Sequence, residues 1–211
     1  NPKRRFLSSK VPRSRTTSLP ELDLKKPIVV EVGCGVGLHP LKFSKQNPDH
    51  QIMAIEQTAN KFSKFQKRYH THHSPKNLYP FHDNAIHFIT HLIKKESVSQ
   101  YFFLYPNPNP KKGDQNKRWH AMPFMEKILE TLVPGGLIEF ATNESFYAEE
   151  CYEWMTQIWN LELVEFKTIP QGFQARTHFE KKYLERGQKC FNLLFKNFFN
   201  FMFHSVKIIK V

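Results

Sequence analysis

Short apolar segments alternate with segments of helical period along most of the chain. The apolar segments lie at residues 28–32, 51–55, 77–81, 101–105 and 137–141. Between them, stretches such as "TANKFSKFQKRYH" repeat apolar residues every three or four positions, as an amphipathic helix does. Strands that alternate with helices are typical of βαβ units, and the continuous apolar runs "PIVVEV" and "YFFLYP" indicate parallel strands covered on both faces.

Two further apolar segments, "LELVEFKTI" and "KCFNLLF", follow the fifth predicted strand. The segment between them is too irregular for a crossover helix, so we expect these two strands to end the sheet in an antiparallel arrangement. The pattern therefore predicts an α/β, Rossmann-like fold with a seven-stranded, mostly parallel sheet and helices on both faces.

The first 26 residues differ in composition from the rest of the chain. They are basic, rich in serine and proline, and without periodic apolar positions. Such a segment cannot form a packed core of its own. We therefore expect a flexible basic arm over residues 1–26, mobile or ordered by a partner, and a single domain over residues 27–211, a length that one core can serve.

The net charge indicates a polyanionic partner. The 211 residues include 31 Lys and Arg against 19 Asp and Glu, a formal charge of +12, and a strongly basic protein attracts nucleic acid. No apolar run approaches the roughly 20 residues of a membrane span, and the three cysteines show no paired spacing. We expect a cytoplasmic protein without membrane association, either a monomer or a homodimer.

A glycine-rich turn directly follows the first predicted strand, with Gly33, Gly35 and Gly37. Glycine adopts positive φ without steric cost and lets a ligand approach the backbone, but this spacing is not the dinucleotide fingerprint G-x-G-x-x-G. Glu56 ends the second predicted strand, where a doubly wound sheet places an acid that accepts ribose hydroxyls. Glu31, in the first strand, suits a cationic group, so we predict S-adenosylmethionine as cofactor.

A loop with three alternate prolines, "YPNPNPKKGDQNKR", follows the fourth predicted strand. Proline fixes φ, so the loop is held stiff at the sheet edge where open α/β sheets bind ligands. Its asparagines offer amide groups to a planar substrate, and its lysines and arginine attract phosphate. The cluster "HTHH" at residues 70–73 lacks ligand partners at metal spacing, so we predict no metal site.

These motifs together resemble the bacterial-type tRNA (guanine-N7)-methyltransferases, a family of class I S-adenosylmethionine-dependent methyltransferases. The resemblance rests on "VEVGCGVG", Glu56, the "PNPNPKK" loop, "GGLIEFATNESFYAEE" and "TxFE" at residues 177–180 followed by "RGQ". The motifs run in the family's order over about residues 28–195. The resemblance implies transfer of a methyl group to N7 of a tRNA guanine.

The resemblance also implies roles for individual residues. It places Glu31, Glu56 and Asn84 beside the cofactor, together with the glycine turn. It places Asn107, the candidate catalytic residue, at the junction of cofactor and substrate. It places four side chains around the tRNA guanine: Lys111, Asn143, Thr177 and Glu180.

The chain departs from the family at several of these positions. Asn84, Asn107 and Asn143 stand where the family often carries Asp, and Asn109 stands where it has Trp. An amide still accepts hydrogen bonds but does not stabilise a developing cation as a carboxylate does. Two alternatives therefore stay open: a methyltransferase of altered substrate, and an RNA-binding paralogue that keeps the fold without methyl transfer.

Overall fold

The predicted strands form one seven-stranded sheet in the computed structural model, which describes residues 4–198. The strand order is β3-β2-β1-β4-β5-β7-β6. The strands are β1 (Ile28–Val32), β2 (Gln51–Glu56), β3 (Leu78–His82), β4 (Val98–Leu104), β5 (Leu132–Thr142), β6 (Glu162–Thr168) and β7 (Phe191–Lys196). Strands β1 to β5 pair in parallel, and β7 runs antiparallel between β5 and β6. The predicted fold class is confirmed.

The described chain also forms six α-helices and three short 3₁₀ helices. The α-helices are α1 (Leu38–Gln46), α2 (Ala59–Thr71), α3 (Ala85–Leu92), α4 (Met125–Thr131), α5 (Ser145–Glu153, continued by a π-helical turn, Trp154–Ile158) and α6 (His178–Glu185). The 3₁₀ helices are Ser8–Lys10, Lys112–Lys117 and Trp119–Ala121. Helix α6 lies in the link that the sequence pattern predicts to be irregular. The expectation that no helix lies between β6 and β7 was therefore wrong. The two strands are nevertheless antiparallel neighbours, as predicted.

The core lies on both faces of the sheet. On one face, Phe88 of α3, Ile128 of α4 and Tyr147 of α5 pack with buried strand residues. On the other, Leu41 of α1 and Phe65 of α2 do the same. Burial of one such side chain stabilises the fold by roughly 1.5–3 kcal/mol. The helices thereby hold the carboxyl ends of the central strands in fixed positions.

The amino-terminal segment lies against the domain. The ring of Phe6 packs on the edge of Phe124 at 5.3 Å between centroids, and the Ser14 hydroxyl donates to Asp83 Oδ2 at 2.6 Å. The division of the chain at residue 26 stays a prediction. Residues 199–211, which that division assigns to the domain, lie outside the described residues. Within residues 4–198, no helix is long and apolar enough to cross a membrane.

Candidate active site

A cavity of about 1210 Å³ opens where the central strands end. It lies at the carboxyl edge of the sheet, the usual ligand edge of open α/β folds. Eight of the predicted site residues line it: Glu31, Gly33, Gly35, Glu56, Asn84, Asn107, Asn143 and Thr177. The structure does not bring Gly37, Lys111 or Glu180 to its wall.

The glycine turn forms a side-chain-free part of the cavity wall. Gly33 and Gly35 have φ values of 72° and 62°, in the left-handed region that costs other residues roughly 1–2 kcal/mol. A Cβ atom added at either glycine would meet no atom within 4 Å. Because the Gly33 N–H donates to the Ile55 carbonyl at 2.9 Å, the turn is tied to β2. The turn thus leaves space for a ligand against the backbone.

Gly37 serves helix packing. Its φ is 77°, and it precedes the first residue of α1. A Cβ atom at this position would overlap the ring of Phe65, which α2 buries against the turn. The structure therefore gives Gly37 a role in the packing of α2, whereas the sequence pattern predicts that it contacts the cofactor.

Glu56 is locked in place by backbone donors. Its Oε2 accepts from the Gly35 N–H at 2.9 Å, and its Oε1 accepts from the Thr58 N–H at 2.7 Å. The side chain is 5% exposed and lines the cavity. A carboxylate has about four acceptor sites, so two remain for further donors. The geometry suits a pair of ligand hydroxyls.

Glu31 pairs with a histidine that the sequence analysis missed. Glu31 Oε2 lies 2.8 Å from His39 Nδ1, and both side chains are buried. The His39 ring packs on the edge of Phe102 at 4.7 Å. Glu31 Oε1 has no hydrogen-bond donor among residues 4–198. The pair thus presents one free carboxylate oxygen at the cavity.

Asn84 is a helix cap beside a buried acid. Its Oδ1 accepts from the Ile86 N–H at 2.9 Å and begins α3. The preceding residue, Asp83, is fully buried and lines the cavity. Burial alone would raise the pKa of Asp83, but hydrogen bonds from Ser14 and Thr16 lower it below its usual value. A negative charge therefore persists next to the position where the family's Asp is replaced.

The proline-rich loop is held by a buried arginine. Tyr105 and Asn109 have φ values of 53° and 46°, conformations that cost roughly 1–3 kcal/mol each. Asn107 is exposed, and its Oδ1 accepts from the Asn109 N–H at 3.1 Å. Arg118 donates to the Asn109 carbonyl at 3.1 Å and pairs with Glu150. The loop is therefore fixed with Asn107 at the cavity.

Glu180 supports this loop from the interior. It is fully buried, and its Oε1 accepts from the Tyr105 hydroxyl at 2.8 Å and from Arg176 Nη2 at 2.7 Å. Burial would raise the pKa of Glu180, but Arg176 outweighs burial and holds it below its usual value. Arg176 also pairs with Glu139 of β5 at 2.5 Å. Glu180 thus contacts Tyr105, which lines the cavity, and does not line the cavity itself.

The three remaining predicted substrate residues occupy different places. Thr177 lines the cavity, and its Oγ1 accepts from the Glu180 N–H at 3.0 Å as the cap of α6. Asn143 lines the cavity and donates to Glu144 Oε1 at 3.0 Å. Lys111 is exposed at the start of the second 3₁₀ helix. Its contact with a substrate stays a prediction.

The comparisons with known proteins identify the family. A family model described as "Putative methyltransferase" matches residues 25–193. A tRNA (guanine-N(7)-)-methyltransferase of Buchnera aphidicola is 30% identical over 177 residues, which cover 82% of this chain and 73% of the relative. The chain belongs to the tRNA (guanine-N7)-methyltransferase family. The resemblance predicted from the sequence is therefore confirmed.

A second relative carries the same family name, and two solved structures share the fold. The Thermotoga maritima enzyme of that name is 27% identical over 79% of this chain, and the match spans 53% of its own length. An antibiotic-related methyltransferase superposes with a TM-score of 0.60 at 13% identity, covering 86% of this chain and 96% of that one. The 16S rRNA methyltransferase KamB gives 0.60 at 16%, covering 82% and 88%. These two likenesses show the fold.

One wall of the cavity was not predicted from the sequence. Helix α2 contributes Lys61, Lys64, Lys67 and Arg68 to the lining. Their spacing was visible in "NKFSKFQKRYH", since positions three, four and seven apart share one helix face. Only the fold shows that this face borders the cavity. Within residues 4–198, no group of three or more His, Cys, Asp or Glu side chains is arranged to hold a metal ion.

Proposed function

We propose that this protein transfers the methyl group of S-adenosylmethionine to N7 of a guanine in tRNA. Besides the family of the chain, one observation supports the proposal. The side-chain-free glycine turn, the locked carboxylate of Glu56 and the fixed loop with Asn107 line a single cavity. In this proposal, a cofactor site and a site for a planar base meet at one edge of the sheet.

The cavity residues fit S-adenosylmethionine. The free acceptor sites of Glu56 suit the two ribose hydroxyls, and the open space at Gly33 and Gly35 admits the nucleoside. The free oxygen of Glu31 suits a cationic amino group. When bound, S-adenosylmethionine supplies an electrophilic methyl group. The carboxylates around it favour its positive charge over a neutral competitor.

Methylation at N7 needs positioning more than acid–base chemistry. Guanine N7 carries a lone pair in the ring plane and no proton, so the chain has to hold the base in line with the donor. The Oδ1 atom of Asn107 is engaged by Asn109, while its Nδ2 has no acceptor among residues 4–198. Guanine presents O6 and N7 as adjacent acceptors. The Asn107 amide would donate to O6 and leave N7 free.

Substitution of Asn107 tests this role. Asn107→Asp replaces the donor with an acceptor that faces guanine O6, so methyl transfer should slow by roughly 10- to 100-fold, the value of one hydrogen bond lost near the reacting atom. Asn116→Asp, at an exposed position of the same loop, adds the same charge and should leave the rate unchanged. A faster Asn107→Asp enzyme would contradict the assigned donor role.

We also propose a cytoplasmic location. Cys34, Cys151 and Cys190 are free and buried. The pKa of each thiol is raised, and burial is the largest cause. Thiols in this state are typical of proteins in a reducing compartment. A tRNA substrate is found in the same place.

A further inference from the structure

Helix α2 carries four cations toward the cavity, and none has a carboxylate partner in the described part of the chain. Lys61, Lys64 and Arg68 are three and four positions apart, so they lie on one face of the helix, and Lys67 adjoins them. All four line the same cavity as the glycine turn. Lys64 and Lys67 are exposed, and their side chains make no hydrogen bond or ion pair among the described residues.

Some lysines elsewhere in the described chain have acidic partners. Lys117 pairs with Asp114 at 2.8 Å, and Lys127 pairs with Glu130 at 3.2 Å. The α2 cations have no carboxylate within 4.0 Å in the described part of the chain. Close like charges cost free energy unless a polyanion neutralises them. These four cations are therefore available to neutralise a bound polyanion.

The start of α6 extends this surface. Arg68 Nη1 lies 2.8 Å from His178 Nε2, and Lys61 Nζ lies 5.8 Å from the centre of the Phe179 ring. Burial first, and then Arg68, Lys181 and Lys42, lower the pKa of His178. A neutral His178 accepts from Arg68, so the positive charge of the surface comes from the lysines and the arginine.

Phe179 adds an apolar platform to the cations. Its side chain is 40% exposed, and its ring stacks on Tyr183 with centroids 6.3 Å apart. An exposed aromatic ring beside several cations is the arrangement by which proteins hold a nucleic-acid strand, with bases on the ring and phosphates on the cations. A cofactor with one carboxylate does not require four cations.

We propose that the α2–α6 basic wall (Lys61, Lys64, Lys67, Arg68 and Phe179) binds the phosphodiester backbone of the RNA substrate. The inference rests on the proposed function and adds a location for the RNA. The wall and the Asn107 loop line one cavity, so a strand held on the wall can deliver a base to the loop. The basic regions of this chain thus include a binding surface besides the amino-terminal arm and the proline-rich loop.

A paired set of charge variants tests the wall. The test variant is Lys64→Gln/Lys67→Gln, and the matched control is Lys76→Gln/Lys94→Gln, two exposed lysines that precede β3 and β4 at the opposite edge of the sheet. Binding of unmodified tRNA is measured without turnover, over a range of salt concentrations. S-adenosylmethionine affinity is measured by calorimetry in parallel.

The loss of two phosphate contacts releases about 1.4–1.8 fewer counterions, so the tRNA Kd of the test variant should rise by roughly 25- to 60-fold at 0.1 M salt. The salt slope should fall by the same 1.4–1.8, and the control should match the wild type. An unchanged Kd and slope in the test variant would overturn the proposal, as would a loss confined to S-adenosylmethionine binding or an absence of tRNA binding by the wild type. Because binding is measured separately, a protein that binds tRNA on this wall without methylating it would contradict only the proposed function.

Discussion

Replacement of Glu56 by glutamine should raise the Kd for S-adenosylmethionine by an amount that follows from the hydrogen bonds of Glu56. Both carboxylate oxygens accept from backbone N–H groups, at 2.9 Å from Gly35 and 2.7 Å from Thr58. Glutamine has one oxygen and one NH₂ group, so its NH₂ would face one of these donors. The amide also offers fewer acceptor sites to the two ribose hydroxyls.

The expected loss follows from one hydrogen bond to a charged acceptor. Such a bond contributes about 1.5–3 kcal/mol, and every 1.4 kcal/mol is about tenfold in Kd. Glu56→Gln should therefore raise the Kd for S-adenosylmethionine by roughly 10- to 150-fold. Because the Gly35 turn shares these bonds, the variant should also unfold at a lower temperature without cofactor.

Isothermal titration calorimetry with S-adenosylmethionine, well below the melting temperature, measures this effect. Glu162→Gln is the matched control, since Glu162 is exposed at the start of β6, outside the cavity lining. The control should bind the cofactor as the wild type does. Equal affinity of the Glu56→Gln protein would show that this carboxylate does not hold the ribose, and the assignment of the cavity would be wrong.

Two further predictions concern the support of the site. The pKa of Glu180 is held below its ordinary value near 4.5, so the stabilising effect of the carboxylate is present above that value and is lost as the pH falls toward the folded pKa. Urea denaturation should therefore show Glu180→Gln to be less stable than the wild type by about 3 kcal/mol at pH 7. The loss of stability should be smaller at pH 4. Gly37→Ala should destabilise by about 2–5 kcal/mol, through positive φ and overlap with Phe65. Gly33→Ala should cost only about 1–2 kcal/mol of stability but weaken cofactor binding, and equal stability losses in the two alanine variants would refute their different roles.

The centre of the sheet could be predicted because β1 and β2 are buried along their whole length. β1 and β2 match their apolar runs at both ends to within one residue. β5 begins five residues earlier than its apolar run, since Leu132 pairs with Val98 before the Pro-Gly-Gly segment. That pairing is a long-range contact, and no local pattern signals it.

The candidate site was partly predictable for a similar reason. The glycine turn and Glu56 occupy positions set by the βαβ pattern alone. The burial of Glu180 depends on Arg176, which is itself held by Glu139 of β5 and Asn192 of β7. Contacts between such distant segments arise only in the fold. The family resemblance predicts Glu180 beside the tRNA guanine, whereas the structure buries it in contact with Tyr105.

The most direct test of the central claim is to identify the methylated nucleoside. The purified protein is incubated with S-adenosylmethionine and unmodified tRNA, and the digested RNA is analysed by mass spectrometry, with Glu56→Gln as the low-activity control. We expect 7-methylguanosine at one tRNA position, formed by the wild type and reduced in the variant. A methyl group on another atom, or none while cofactor and tRNA both bind, would contradict the proposed function.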